Sequence, residues 1–242
     1  VTARWGTPTW TELEADAAAP VVLVAVGSWE QHGPHLPLTT DTLIAEALVA
    51  AVAARRDGVL AGPTLTVTSS GEHAGFPGTL SVGAEVTEST VIELVRSADW
   101  SGGVLLVNGH GGNLVPVERA VTRLRSESRR VASWWPRLPG GDLHAGHTET
   151  SLLLHLHPEL VRRDRIVAGH QGPLEGLLDE LRAHGVRAVS PTGVLGDPTG
   201  ADAETGAALF GRLVDDLLAT LDAHRATWHG EPGDVRPLPG DR

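Results

Sequence analysis

The chain has 242 residues, of which 41% are hydrophobic, and carries a formal net charge of −11. A chain of this length buries roughly 70–75% of its unfolded surface, so a full core needs no staples. It contains no Cys, which excludes disulfides, thiolate ligands and a thiol nucleophile, and its acidic balance disfavours nucleic acid as a partner.

All 19 basic residues are Arg, and Lys, Tyr and Met are absent while Ala and Gly abound, a bias typical of GC-rich coding. That bias removes Lys and Tyr as catalytic groups. Segment 1–19 reads as a short helix with Thr9 as its cap, and it lacks signal or transit character. The longest apolar run, Pro20 to Gly27, falls well short of the ~20 residues that cross a bilayer. The expectation is a cytoplasmic protein of one domain over 1–242, although the length alone also fits two small domains.

Val21–Val26 is continuously apolar, the pattern of a strand covered on both faces. A loop follows, then a helix over 41–56, a strand over 59–68 and a long polar loop over 69–83. A helix is expected over 84–100, a buried strand over 103–107, a Gly-rich turn over 108–113 and a helix over 115–129. A strand at 130–134 and helices at 147–157, 174–184 and 203–225 complete the order. The tail from Gly230 is rich in Pro and Gly and reads as loose. Strands alternating with helices predict a mostly parallel sheet between helical layers, with ligands beyond the carboxyl ends of the strands.

The chemistry-bearing residues fall at those ends. Glu30, His32, His35 and Asp41 follow the first strand, and His110 follows the 103–107 strand inside Asn108-Gly-His-Gly-Gly-Asn113. A third cluster, His144-Ala-Gly-His-Thr-Glu149, opens a helix. Taken singly, each of the 12 His reads as surface or core, and Asp41 or Glu149 as helix-start electrostatics. Three clusters of oxygen and imidazole donors without sulfur, two of them directly behind buried strands, point instead to Zn²⁺, Mn²⁺ or Fe²⁺. A bound ion polarises a carbonyl and lowers the pKa of water toward ~7, the main need of amide hydrolysis. The turn at 109–112 lacks both G-x-G-x-x-G spacing and a P-loop Lys, so it does not read as a nucleotide site.

Glu30-Gln-His32-Gly-Pro-His-Leu-Pro, Thr40-Asp41, Gly71-Glu-His73-x-x-Phe76-Pro-Gly-Thr79-x-Ser81, Asn108-Gly-His110-Gly-Gly-Asn113 and His144-Ala-Gly-x-x-Glu149-Thr-Ser together resemble the creatininase family, in family order. The resemblance implies a three-layer α/β/α sandwich, two divalent metal ions, C–N amide hydrolysis and a homo-oligomer such as a hexamer. It further implies Glu30 and His32 each on one metal, Asp41 bridging, His110 completing one shell, and His144 moving a proton or holding an oxyanion. Ser70, Glu72 and His73 lie in the loop that shapes the substrate pocket in relatives. Creatininase proper has Glu two residues after its ligand His where this chain has Gly112, so Glu149 is expected to serve the second metal and creatinine is disfavoured as substrate. Segments 140–155 and 192–199 are similar to the family's mycofactocin-system branch. That branch implies a peptidase releasing a modified Val-Tyr-derived dipeptide from a precursor peptide. The alternatives are a family amidohydrolase acting on a small cyclic amide or formamide, and a non-catalytic metal-binding protein.

Overall fold

The computed structural model describes residues 6–228 apart from 17, 139, 173–176, 178–179 and 182. A short helix α1 (Trp10–Ala15) opens it, with Thr9 and Glu12 forming a reciprocal cap that satisfies two otherwise orphaned backbone donors. Strand β1 (Val21–Val26) is followed by helix α2 (Thr40–Ala53), β2 (Val59–Ala61), α3 (Ala84–Ser97), β3 (Gly103–Asn108), α4 (Leu114–Ser126), β4 (Val131–Trp134), α5 (His147–Leu156) and the long α6 (Ala203–Trp228). The four strands lie in the order β2-β1-β3-β4, and every pair is parallel.

The two faces of β1 separate cleanly. Val21, Leu23 and Ala25 join a core with α2, α5 and α6, while Val22, Val24 and Val26 join a second core with α3 and α4. Burying one such Val or Leu contributes ~1.5–3 kcal/mol. The chain is therefore an α/β/α sandwich, as the alternation of elements predicts. β1 connects to β2 on one side of the sheet and β3 lies on its other side, so the strand order reverses between β1 and β3. Such a reversal opens a crevice at the carboxyl ends.

Several expected boundaries shift, among them the end of α2 at Ala53 rather than residue 56 and the end of α6 at Trp228 rather than residue 225. The second strand ends at Ala61 rather than running to residue 68, because Gly62 and Pro63 interrupt it and Pro lacks a ladder donor. The chain rejoins β1 only at the bridge between Leu65 and Val26. Helix α3 stops at Ser97, where the Ala98 N–H turns back to Val95 O. Helix α4 stops at Ser126, two residues before Ser128 adopts φ +61. The helix expected at 174–184 lies largely outside the described residues, as does the tail from Gly230. Among the described residues no helix is long and apolar enough to cross a membrane.

Candidate metal centre

The β1–α2 loop folds back on itself: Glu30 N–H donates to Leu38 O at 2.9 Å. This returns Asp41, in the first turn of α2, to the side of His32. From β3, Asn108 brackets the next ligand candidate, its Nδ2 donating to His110 O at 2.9 Å and its Oδ1 accepting from His110 N–H at 3.2 Å. Gly109 allows this approach, since a Cβ there would lie 2.7 Å from Asp41 O. Asn113 fastens a third segment, donating to Gly27 O and accepting from Ser69 N–H.

All five expected ligands meet in one place. Asp41 faces two imidazoles, with Oδ1 3.0 Å from His32 Nε2 and Oδ2 3.2 Å from His110 Nδ1. Glu30 Oε2 lies 3.2 Å from His110 Nε2. Glu149, at the start of α5, brings Oε2 to 3.8 Å from His32 Nε2 and accepts from the Ala145 N–H at 2.6 Å. Donor atoms of Glu30, Asp41 and His110 lie within 4.8 Å of one another, as do those of His32, His144 and Glu149, and of Glu30, His73 and His144.

Of the substrate-loop candidates only Glu72 reaches the rim. The Gly71–His73 turn buries His73, whose Nε2 is 3.3 Å from Glu30 Oε1, and leaves Glu72 part-exposed with Oε1 3.5 Å from His110 Nε2. Ser70 is fully buried, and its Oγ has no hydrogen-bond partner among the described residues. At Gly112 a Cβ would stand 2.4 Å from both Glu72 Oε1 and Ser69 O. The space a side chain would need at 112 is taken by the Glu72 carboxylate. His35 lies outside the cluster; its Nε2 pairs with Thr150 Oγ1 at 2.8 Å, tying the first loop to α5 beside Glu149.

Two residues escaped the reading by residue type. Ser28 Oγ donates to Asp41 Oδ2 at 2.8 Å, and Gln31 touches both His73 and His144. Gln31 carries a signal in its position between two ligand candidates; Ser28 carries none. A cavity of about 460 Å³ opens beside Glu149, lined by Gly109, Gly111, Trp135, Leu138 and Leu143 among others. Trp135 is thus a pocket wall, while Trp134 is buried with its indole N–H donating to Asp216 at 2.6 Å.

Burial opposes the charged form of every group here, and the partners overturn it for four of them. Asp41, with Glu149 and Glu30, lifts His32 to about 10, and Glu30 with Asp41 lifts His110 well above the usual imidazole range. His32 and His110 hold Asp41 well below the carboxylate range, and His110 lowers Glu30. Burial prevails elsewhere: it raises Glu149 to about 7 and Glu72 upward, lowers His73 and His35 to about 4, and lowers His144 strongly with help from His32. Without an ion, the cluster therefore uses protonated imidazoles as its cations.

The donor set suits a divalent ion. Both Glu30 oxygens are buried and make no well-aligned hydrogen bond among the described residues, facing only His110 Nε2 at 3.2 Å and His73 Nε2 at 3.3 Å. A desolvated carboxylate costs several kcal/mol unless a cation faces it. Oxygen and imidazole donors without sulfur match Zn²⁺, Mn²⁺ or Fe²⁺.

Residues 7–221 match the family described as creatininase, creatinine amidohydrolase. The chain is 47% identical over 222 residues to the mycofactocin precursor peptide peptidase of Mycobacterium ulcerans, covering 88% of this chain and 89% of that protein. It is 33% identical over 195 residues to the creatinine amidohydrolase of Pseudomonas putida, covering 67% of this chain and 75% of that one. A solved creatininase structure superposes with a TM-score of 0.76 at 27% identity, covering 95% of this chain and 99% of that one. A creatininase in its Mn form superposes at 0.74 with 28% identity, covering 94% of this chain and 100% of that one.

Proposed function

Since the chain belongs to the creatininase family, whose fold it shares, we propose that it is a metal-dependent peptidase acting on the mycofactocin precursor peptide. It hydrolyses the amide bond that releases the modified C-terminal Val-Tyr-derived dipeptide. The observation that carries the reading is the fully buried Glu30 carboxylate, set beside Asp41 and His110 with donor atoms within 4.8 Å of one another, in a chain 47% identical to such a peptidase over most of its length.

Glu30, Asp41 and His110 would hold one ion, and His32, Asp41 and Glu149 a second, with Asp41 shared. His32 Nδ1 donates to Glu30 O at 3.1 Å and leaves Nε2 for a ligand role. His110 Nε2 donates to Ser69 O at 2.8 Å and leaves Nδ1, the atom facing Asp41. When bound, Zn²⁺, Mn²⁺ or Fe²⁺ supplies Lewis acidity at neutral pH.

The remaining residues surround the reacting amide. His144, its Nδ1 3.8 Å from Glu30 Oε1, is placed to pass a proton to the leaving nitrogen. Glu149, held by the Ala145 N–H at the edge of the cavity, is the carboxylate nearest the reacting amide and can accept its proton when not engaged by the ion. Ser70 offers an unpaired hydroxyl and Glu72 a part-exposed carboxylate to the peptide, and the cavity beside Glu149 accommodates a peptide end. The family resemblance extends to a homo-oligomer such as a hexamer, for which the exposed apolar side chains Leu80, Val82, Val86 and Val115 are candidate contact residues.

Metal-loaded protein is incubated with the modified precursor peptide, creatinine or a formamidopyrimidine, and products are read by mass spectrometry. Release of the dipeptide alone is expected, and its loss in His110→Ala with an unchanged circular dichroism spectrum. Turnover of creatinine or the formamide instead, or full activity of His110→Ala, overturns the reading.

A further inference from the structure

Gln31 is buried and has no part in the reaction described above. Its Oε1 accepts from the Gly33 N–H at 2.8 Å, and its Nε2 donates to Gly193 O at 3.1 Å. These two backbone groups fix which end of the amide is nitrogen. The reverse orientation would set NH₂ against an N–H and oxygen against a carbonyl. A Cβ at Gly193 would lie 1.9 Å from Gln31 Oε1, so only glycine there admits the amide.

Gln31 Nε2 also lies 2.9 Å from His73 Nδ1 and 3.0 Å from His144 Nε2. An amide nitrogen has two hydrogens and accepts none. One goes to Gly193 O. The other goes to His73 Nδ1, because His144 Nε2 is not free to accept: it sits 2.7 Å from the Gln31 backbone carbonyl, an acceptor only, and must carry its own hydrogen.

We propose that Gln31 is a positioning residue that holds both rings as the Nε2–H tautomer, making His73 a hydrogen-bond donor and His144, through Nδ1, a proton acceptor. The Gln31 side chain fixes His73 and the backbone carbonyl of the same residue fixes His144, and the two rings pack with centroids 4.5 Å apart. A ring nitrogen that carries a proton has no lone pair for an ion. The group Glu30, His73 and His144 is therefore no cation site although its residue types qualify. His73 instead presents Nε2–H to the Glu30 side of the centre. His144 Nδ1 keeps its lone pair facing the same carboxylate, the atom that receives and passes the proton of the reaction.

Ring nitrogens are observed by ¹⁵N NMR on zinc-loaded, histidine-labelled protein. His73 and His144 should each show a protonated Nε2 and an unprotonated Nδ1. Gln31→Glu sets an acceptor against His73 Nδ1. The expected result is a shift of that proton to Nδ1, zinc content unchanged, kcat roughly 100-fold lower and KM within about threefold. Gln31→Met, whose side chain directs no ring nitrogen while its backbone carbonyl still holds the His144 Nε2–H, should show mixed tautomers at His73 alone and a kcat below wild type. A wild-type ring protonated at Nδ1, or either variant turning over at the wild-type rate, overturns the proposal. If Gln31→Glu does not fold, the wild-type spectrum and Gln31→Met decide. Only the kinetic arm rests on the peptidase reading: absence of peptide cleavage by wild type would sink that reading and leave the ring assignments to the spectra.

Discussion

Ser28 binds no ion in the proposed centre, yet its hydroxyl orients the carboxylate that both ions would share. Partners of this kind fix ligand geometry, and losing one typically lowers metal affinity 10–100-fold. Ser28→Ala should therefore weaken zinc binding about 10–100-fold, measured by competition with a chelating dye, with little change in metal-free melting temperature. Wild-type affinity in Ser28→Ala would remove this role. The charged imidazoles make a second prediction. The folded pKa of His32, about 10, lies above its free value of 6.5. Its protonated form stabilises the metal-free fold fully below about pH 6.5, and that stabilisation is lost as pH rises through about 10. His110 shifts in the same direction. The chain has no Lys, Tyr or Cys side chain to titrate in that window, so above the Glu149 transition near 7 the alkaline decline reports chiefly these rings. The melting temperature of metal-free protein should fall between pH 7 and 10.5, and His32→Gln should fall less steeply; parallel curves would contradict the assignment. Ligand candidates were legible here because imidazole and carboxylate announce their chemistry by type. Ser28 was not, because a serine in a loop gives no sign of what it faces.

Helix α5 carries Glu149 and is set in place by α6. Gly206 lets the two helices approach closely: a Cβ there would stand 1.9 Å from Ser151 O and 3.0 Å from His155 Cβ. Gly206→Ala must push α5 outward. Overpacking of this sort costs about 1–3 kcal/mol, and here it would also move Glu149 away from His32. Chemical denaturation should show that loss together with weaker metal binding; a variant as stable as wild type would show that the helices can separate freely. The element boundaries illustrate what local sequence can and cannot convey. Val21–Val26 declared itself because an unbroken apolar run requires cover on both faces. The second strand is expected to run too long because residues 64–68 are mostly β-branched but follow Gly62 and Pro63, and only the pairing with β1 shows where the ladder stops.

At the scale of the molecule, the parallel sheet and its reversal between β1 and β3 bring residues 30, 41 and 110 to one crevice, and α5 closes it with residue 149. Four chain segments thus converge on a shared charge. A ligand that binds only the folded form stabilises it by mass action, by about 4 kcal/mol at a thousandfold excess over Kd. Stripping the ions with a chelator should lower the melting temperature, and zinc or manganese should restore it. A melting temperature indifferent to both would argue against any ion at this place. The apolar runs, the order of strands and helices, and the donor-rich segments behind the strands are local properties, and the sequence by itself determined them. Which atom of each imidazole faces Asp41, that Glu72 occupies the space beside Gly112, and that Gln31 joins His73 to His144 were decided only by tertiary structure. Apart from the contact of His32 with Asp41, those contacts join residues dozens of positions apart, and no local pattern encodes the angle at which distant loops meet.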